Sequence, residues 1–117
     1  MEHFYNELKQ ILDINLRDIN DKNIDYQNVI LFELNEITKQ KTVTTNKNLY
    51  HIEISLYYIT KENDELHGKN ALNILKQLEL YNANAIKKMT HQKLIIINAN
   101  KFFVSKFDLI FEAFTPK

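Results

Sequence analysis

The chain has 117 residues, of which 44% are hydrophobic, with fifteen basic and fifteen acidic side chains and no cysteine. That length predicts one domain, residues 1–117, able to bury a core without disulfide or metal staples. The missing cysteines exclude disulfides, thiol catalysis and cysteine-based zinc sites. A net charge of zero means that any nucleic-acid partner would need a local basic patch.

Neither a secretory signal nor a membrane span is predicted. Residues 1–10 carry acidic and basic side chains with no apolar run behind them, which indicates a product that stays inside the cell. The longest purely apolar run is Leu94–Ile97, and a membrane span needs about 20 such residues.

The first half of the chain predicts one helix followed by two strands. Apolar residues at spacings of three and four predict an amphipathic helix over Phe4–Asp18, before a turn rich in Asn and Asp. The short apolar run Val29–Leu34 predicts a buried strand. The polar, cationic segment Thr38–Asn48 indicates an extended hairpin arm or a mobile loop. Strict alternation predicts a strand over Tyr50–Thr60.

The second half predicts a helix and a hairpin. An apolar stripe indicates a helix over Lys69–Leu80. Strands are predicted at Leu94–Ile97 and Phe103–Phe114, joined through Asn98–Asn100, residue types that suit a tight turn and tolerate left-handed backbone. The segment Tyr81–Thr90 fits no single element: it extends the helix or opens another strand.

The order of elements predicts the α+β class: a small antiparallel or mixed sheet of about four strands, with two helices packed on one face. If the helices cover the aromatic face of the last strand, the residues opposite are solvent-facing. Several of these are apolar, which indicates an interface on the uncovered face. They are Tyr57, Ile59, Phe102, Val104, Ile110 and Phe114.

No residue pattern establishes a catalytic, cofactor-binding or metal site. The four histidines lack metal-ligand spacing, and Gly68, the single glycine, cannot build a phosphate loop. Ser55 and Ser105 do not lie in a strand-to-helix elbow and are expected to decorate strand faces. We therefore predict a protein that is not an enzyme and binds no cofactor.

Two alternatives remain open from the residues alone. Carboxylates on the predicted strands, Glu33, Glu53, Asp108 and Glu112, could hold Mg²⁺ for phosphodiester cleavage, although no lysine follows a buried acid at the usual spacing. The aromatic residues near Lys101 and Lys106 could stack on single-stranded nucleic acid, although core packing is the more ordinary role for such residues.

The strands VILFELNE and HIEISLYYITK, with the closing hairpin that ends in FDLIFEAF, resemble the bacteriophage tail-terminator and tail-completion family over nearly the whole chain. The resemblance implies a non-enzymatic virion protein, assembled in the host cytoplasm, that caps the tail tube, stops its polymerisation and joins it to the head connector. Its implied partners are its own copies in a ring, most often a hexamer, the tail-tube protein and the connector or stopper protein. Neither a membrane nor nucleic acid other than passing DNA is implied.

The same resemblance implies that the polar arm, Thr38–Asn48, reaches towards the tube or a neighbouring subunit. It also implies that strand edges supply the ring contacts. The same topology would also serve a head-tail stopper, a host-encoded tail-like injection device or a small immunity protein. The candidate interface residues are Lys39, Lys41, Thr44, Lys47, Tyr57, Ile59, Phe102 and Val104.

Overall fold

The structure is a computed structural model that describes residues 6, 8–10, 12, 15–40, 47–81, 86–89 and 93–116. Residues 6 and 8–10 are helical. The remaining elements are six strands and one helix, α1. In chain order they are β1 Leu16–Asp18, β2 Asn28–Gln40, β3 Lys47–Lys61, α1 His67–Tyr81, β4 Ile86–Met89, β5 Lys93–Ile97 and β6 Asn100–Pro116.

All six strands belong to one mixed sheet in the order β1-β2-β3-β6, with β4 and β5 on the far edge of β6. β1 runs parallel to β2, and every other pair is antiparallel. β4 pairs with Phe107–Ile110 and β5 with Asn100–Val104, so these two short strands lie end to end. The α+β class is confirmed, with five positions in the sheet rather than about four.

One hydrophobic core lies between the sheet and the helices, on what we call the helix face. Leu8 and Leu12 of the amino-terminal region join Ala71, Ile74 and Leu78 of α1 in a single buried cluster with residues of β2, β3 and β6. Burial of this apolar surface is the main force that holds the helices to the sheet. The prediction of two helices on one face is confirmed.

The predicted first helix, Phe4–Asp18, is wrong at its carboxyl end, where the chain forms β1. Ile30 donates a backbone hydrogen bond to Asn15 at 2.9 Å, and Ile19 donates one to Phe32 at 2.9 Å. Leu16 is fully buried in the same core as Leu8 and Leu12. Leu8, Leu12 and Leu16, spaced four residues apart, are therefore buried in the same core, although they do not belong to one continuous helix.

The other predicted elements are found with small changes of boundary. α1 extends the predicted helix by one or two residues at each end, and β3 extends the predicted strand Tyr50–Thr60. β2 continues to Gln40, so the first part of the predicted arm is one side of a long β2–β3 hairpin. Residues 41–46 lie outside the described residues. Ile86–Met89 forms β4 within the segment that fitted no single element.

The β5–β6 hairpin closes through a tight turn, as predicted, but the turn has two residues because Asn100 already belongs to β6. Ile97 pairs with Asn100, and the residues between them, Asn98 and Ala99, have φ angles of 51° and 64°. Two successive left-handed residues are typical of a type I′ turn, whose twist matches that of the flanking strands. Ala99 carries a Cβ in this conformation, at a steric cost that glycine would avoid.

The molecule is elongated along its strands. Its extents are 53 × 28 × 23 Å, and its radius of gyration is 15.8 Å, against about 13 Å for a compact chain of this length. β6, with 17 residues, accounts for the long axis. None of the described helices is long and apolar enough to cross a membrane.

Candidate interaction surfaces

The face of the sheet opposite the helices, here called the back face, has a second hydrophobic core. Ile19, Ile24 and Tyr26, from the segment between β1 and β2, pack on it, and the Tyr26 and Phe102 rings are 6.0 Å apart. Its buried members are Val29, Leu31, Ile59, Phe102 and Val104.

The prediction that Ile59, Phe102 and Val104 are solvent-facing is therefore wrong. Ile59 is only 3% exposed, and the other two are also buried. The physical reason is that residues 19–27 form a second layer over this end of the sheet, with Ile95 and Ile97 packed beside it. These three candidate interface residues stabilise the fold from inside and offer no contact surface in the folded chain.

Further along the back face, a polar row crosses the three central strands. Asn35 donates its side-chain N–H to Ser55 Oγ at 2.7 Å, and Ser55 donates its hydroxyl to Asp108 Oδ1 at 2.8 Å. Lys106 Nζ lies 3.6 Å from the same carboxylate oxygen. Ser55 is completely buried, so these bonds compensate for its lost hydration.

Tyr57 belongs to the same row and is half-buried rather than freely exposed. Its hydroxyl donates to Glu33 Oε1 at 2.9 Å, and Lys106 Nζ lies 5.7 Å from the centre of its ring. Burial, together with the hydrogen bond and the charge of Glu33, raises the pKa of Tyr57 to about 12. Its polar atom is already engaged within the chain.

Three of the four acidic residues considered for a magnesium site make separate contacts. Glu33 accepts from Tyr57, Asp108 from Ser55, and Glu112 Oε1 lies 3.2 Å from His51 Nε2. Within the described ranges, no three His, Asp or Glu side chains are grouped as they would be around a metal ion. The arrangement that the nuclease alternative requires is not found there.

His67, which the sequence did not single out, is the centre of a buried hydrogen-bond relay. Its Nδ1 lies 2.7 Å from Thr60 Oγ1 and its Nε2 lies 2.8 Å from Ser105 Oγ. The ring stacks on Tyr58 at 4.9 Å, and the edge of Phe103 is nearby. Burial lowers the pKa of His67, partly opposed by the charge of Asp64.

This relay has the residue types of a nucleophile and its base, but not their accessibility. His67 is 1% exposed, and both hydroxyl residues are buried. Ser105 is only 3% exposed and so is not accessible to a substrate, whereas a buried histidine bonded to two hydroxyl groups beneath a helix is an ordinary structural device. Ser105 lies on the helix face of β6, beneath the start of α1, and Ser55 lies on the back face of β3, so both serines are on strand faces, as predicted, and both are buried.

Four of the aromatic residues considered for a stacking platform have buried rings. Tyr58, Phe107 and Phe111 are buried in the helix-face core, and Phe102 is buried in the second core. Stacking on nucleic-acid bases requires accessible ring faces. The second alternative from the sequence therefore has no support in the packing of these four rings.

A polar cleft of about 460 Å³ opens at the end of the sheet where β3 ends and β6 begins. Its charged side chains, Lys61, Glu62 and Lys101, are all exposed, and their charges partly cancel. None of its lining residues is a buried polar group. The cleft therefore does not define a ligand class.

An exposed edge of the sheet lies along β2 beyond Phe32. β1 pairs only with Ile30–Phe32, and no described strand pairs with the outer side of residues 33–40. On the helix face of this stretch, Leu34 is 41% exposed and Ile37 is 49% exposed. A register shift between Leu34 and Glu36 marks a β-bulge, a common feature of edge strands.

Two of the predicted interface residues, Lys39 and Lys47, lie near the ends of β2 and β3, and two others lie outside the described residues. Lys39 is exposed near the end of β2. Lys47 begins β3, paired with Pro116. Lys41 and Thr44 belong to residues 41–46, which the structure does not describe. Tyr57 is on the back face of β3, away from the edge.

No protein-family model matches the chain, and no curated protein matches its sequence significantly.

Proposed function

We propose that this chain is a non-enzymatic assembly protein of the phage tail-terminator type. In this role it forms a ring on the last ring of the tail tube, stops tube growth and presents a surface to the head connector. The observation that carries the proposal is the outer edge of β2, where two large apolar side chains are exposed beside backbone that none of the described strands pairs with. The backbone groups of an edge strand can pair with another chain, so an edge that no described strand covers suits a subunit that joins others.

The engagement of the polar groups supports an interaction role over a catalytic one. Serine, histidine and tyrosine carry nucleophilic or acid–base chemistry in many enzymes. Here Ser55, His67 and Tyr57 are each hydrogen-bonded to neighbours in the chain. The mechanism we propose needs no covalent step. This protein has to bind the tube end more strongly than another tube subunit does. Capping therefore depends on the difference between these two association free energies.

Negative-stain electron microscopy of this protein mixed with the tail-tube protein tests the proposal, with tube protein alone as the reference. We expect tubes that are capped and limited in length. The double variant Leu34→Asp, Ile37→Asp places charges on the free edge and should lose capping. Leu80→Asp, at an exposed position of α1, is the matched control and should cap as wild type does. Unlimited tubes with wild-type protein at every concentration would refute the proposal.

A further inference from the structure

β5 lies at the edge of the sheet farthest from β2 and consists of one lysine followed by four aliphatic residues. It pairs with β6 on one side, and none of the described strands pairs with its other side. Two of its side chains are strongly exposed, Leu94 at 46% and Ile96 at 66%. An apolar strand at the edge of a sheet is a template for pairing with a further strand.

The backbone groups of these two exposed residues point away from β6. In a hairpin with a two-residue turn, the residues that flank the turn exchange hydrogen bonds with each other, and here they are Ile97 and Asn100. Alternation along the strand then directs the N–H and C=O groups of Ile95 towards β6. It directs those of Leu94 and Ile96 to the outer side of the edge.

The sequence of β5 is complementary to itself about Ile95. When two β5 strands pair antiparallel with this residue at the centre, Leu94 of each copy lies opposite Ile96 of the other. The outward-pointing residues then form hydrogen-bonded pairs, and aliphatic side chains meet aliphatic ones on both faces of the sheet. Lys93, the single charged residue of β5, lies opposite Ile97, so the two lysines stand at opposite ends of the contact.

The described elements leave room for this arrangement. β4 pairs with Phe107–Ile110 and β5 with Asn100–Val104, so β4 lies beyond β5 on the side away from the turn. The two-fold axis therefore carries β4 of the second copy past the turn of the first copy, where β5 and β6 of the first copy have ended. α1 begins at His67, bonded to Ser105, and its last residue contacts Phe111, so the helix also leads away from β5.

We infer that two copies of this chain associate through β5, with Leu94 of each copy paired to Ile96 of the other about a two-fold axis at Ile95. One sheet then continues across both copies. A contact that uses the same strand on both sides closes at two copies, which removes the apolar edge from further pairing. Five residues on each side make a small interface, so the dimer forms at high protein concentration and dissociates on dilution. The inference does not rest on the proposed function, whose observation is the opposite edge of the sheet.

Disulfide trapping tests this contact directly, because the chain has no cysteine of its own. The variant Ile95→Cys puts the two thiols on a non-hydrogen-bonded pair, with Cα atoms about 4.5 Å apart between copies, a suitable distance for a disulfide. We expect a dimer band on a non-reducing gel after mild oxidation. Leu80→Cys, at a position 87% exposed on α1, is the control for random collision. A dimer yield no higher than in this control would overturn the inference.

A matched pair of charged variants gives an independent result. Leu94→Lys, Ile96→Lys places two lysines on each side of the contact and should weaken dimerisation at least tenfold, as measured by sedimentation velocity over a range of concentrations. Leu34→Lys, Ile37→Lys makes the same change at the β2 edge and should dimerise as wild type does. All four positions are exposed, so circular dichroism should show folded protein in both variants. Equal dimerisation of the two variants, or a loss confined to the β2 variant, contradicts the contact.

The outcomes also separate this contact from the proposed function. Dimers without tube capping leave the β5 contact standing and remove the terminator role, whereas capping without dimers does the reverse. The variant expected to lose capping, Leu34→Asp, Ile37→Asp, should still be trapped as a dimer when it also carries a cysteine at position 95.

Discussion

His67 and Ser105 are joined by a hydrogen bond of 2.8 Å between Nε2 and Oγ, across 38 residues of sequence. His67 is the first residue of α1, so this bond and the one to Thr60 fasten the start of the helix to β6 and β3. The rest of α1 is held by apolar contacts of Ala71, Ile74 and Leu78.

We expect His67→Ala to lower the free energy of unfolding by about 2–4 kcal/mol, because it leaves a cavity and two buried hydroxyl groups without their partner. Urea denaturation followed by circular dichroism measures this loss. His51→Ala is the control, since His51 pairs with Glu112 at a partly exposed position, and should cost less than about 1 kcal/mol. Equal losses in the two variants would contradict the structural role of the relay.

The lowered pKa of His67 predicts a loss of stability in mild acid. The unfolded chain takes up a proton near its ordinary pKa of about 6.5, while the buried ring stays neutral to lower pH. Stability is therefore independent of this group above about pH 7 and falls as the pH drops below about 6.5. The slope approaches about 1.4 kcal/mol per pH unit until the folded protein also binds the proton.

Measurements of unfolding at about pH 7.5 and pH 5.5 test this, with His67→Gln as the comparison. Carboxylates elsewhere contribute equally to both proteins, so the difference between the two pH dependences isolates His67. We expect the wild type to lose more stability than the variant over this interval, because only the wild type takes up a proton on this histidine when it unfolds. Parallel pH dependences would show that His67 does not titrate between these values.

The periodic spacing of apolar residues within single elements predicted most of the fold. The alternation of Tyr50–Thr60 and the stripe of Lys69–Leu80 depend on neighbours within one element, and β3 and α1 follow them closely. The His67 relay could not be found in this way. Its members lie on three elements and become neighbours only once the sheet has formed.

The sequence contains evidence for the second core, but the apolar residues of this face were interpreted as a solvent-facing interface. Val29 and Leu31 alternate with Ile30 and Phe32, so this part of β2 is apolar on both faces. A strand that is apolar on both faces is typically covered on both. The segment that covers this face, residues 19–27, was not predicted to pack there because residues 20–23 are polar. Its apolar contacts are made by Ile19, Ile24 and Tyr26.

Tyr57→Phe should destabilise the protein by about 1 kcal/mol, because Glu33 then loses a donor at a half-buried position. The folded pKa of about 12 is above the unfolded value of 10.0, so the stability linked to this group is present below pH 10 and is lost as the pH rises from there towards 12. We therefore expect the variant to be less sensitive to alkali than the wild type. Urea titrations at neutral pH and near pH 10.5 measure both effects, and an unchanged alkaline profile would contradict this account.

Ala99→Gly should stabilise the protein by up to about 1 kcal/mol. Ala99 has a φ of 64°, where a Cβ is unfavourable, and glycine after Asn98 is the preferred sequence for a type I′ turn. The same substitution at Ala71, buried within α1, should instead destabilise by at least about 1 kcal/mol. Thermal unfolding of both variants gives the signs, and a lower melting temperature for Ala99→Gly would argue against the left-handed turn.

Ile59→Ala distinguishes a buried residue from the contact residue that alternation predicted. An isoleucine on an exposed interface can be truncated at little cost to the isolated chain, whereas Ile59, 3% exposed beside Phe102 and Val104, should cost about 2–5 kcal/mol. Ile96→Ala, at a position 66% exposed on β5, is the matched control and should change stability by less than about 1 kcal/mol. Urea denaturation of both variants decides the matter. Similar small losses would mean that residues 19–27 do not cover the back face, and that Ile59 is available to a partner after all.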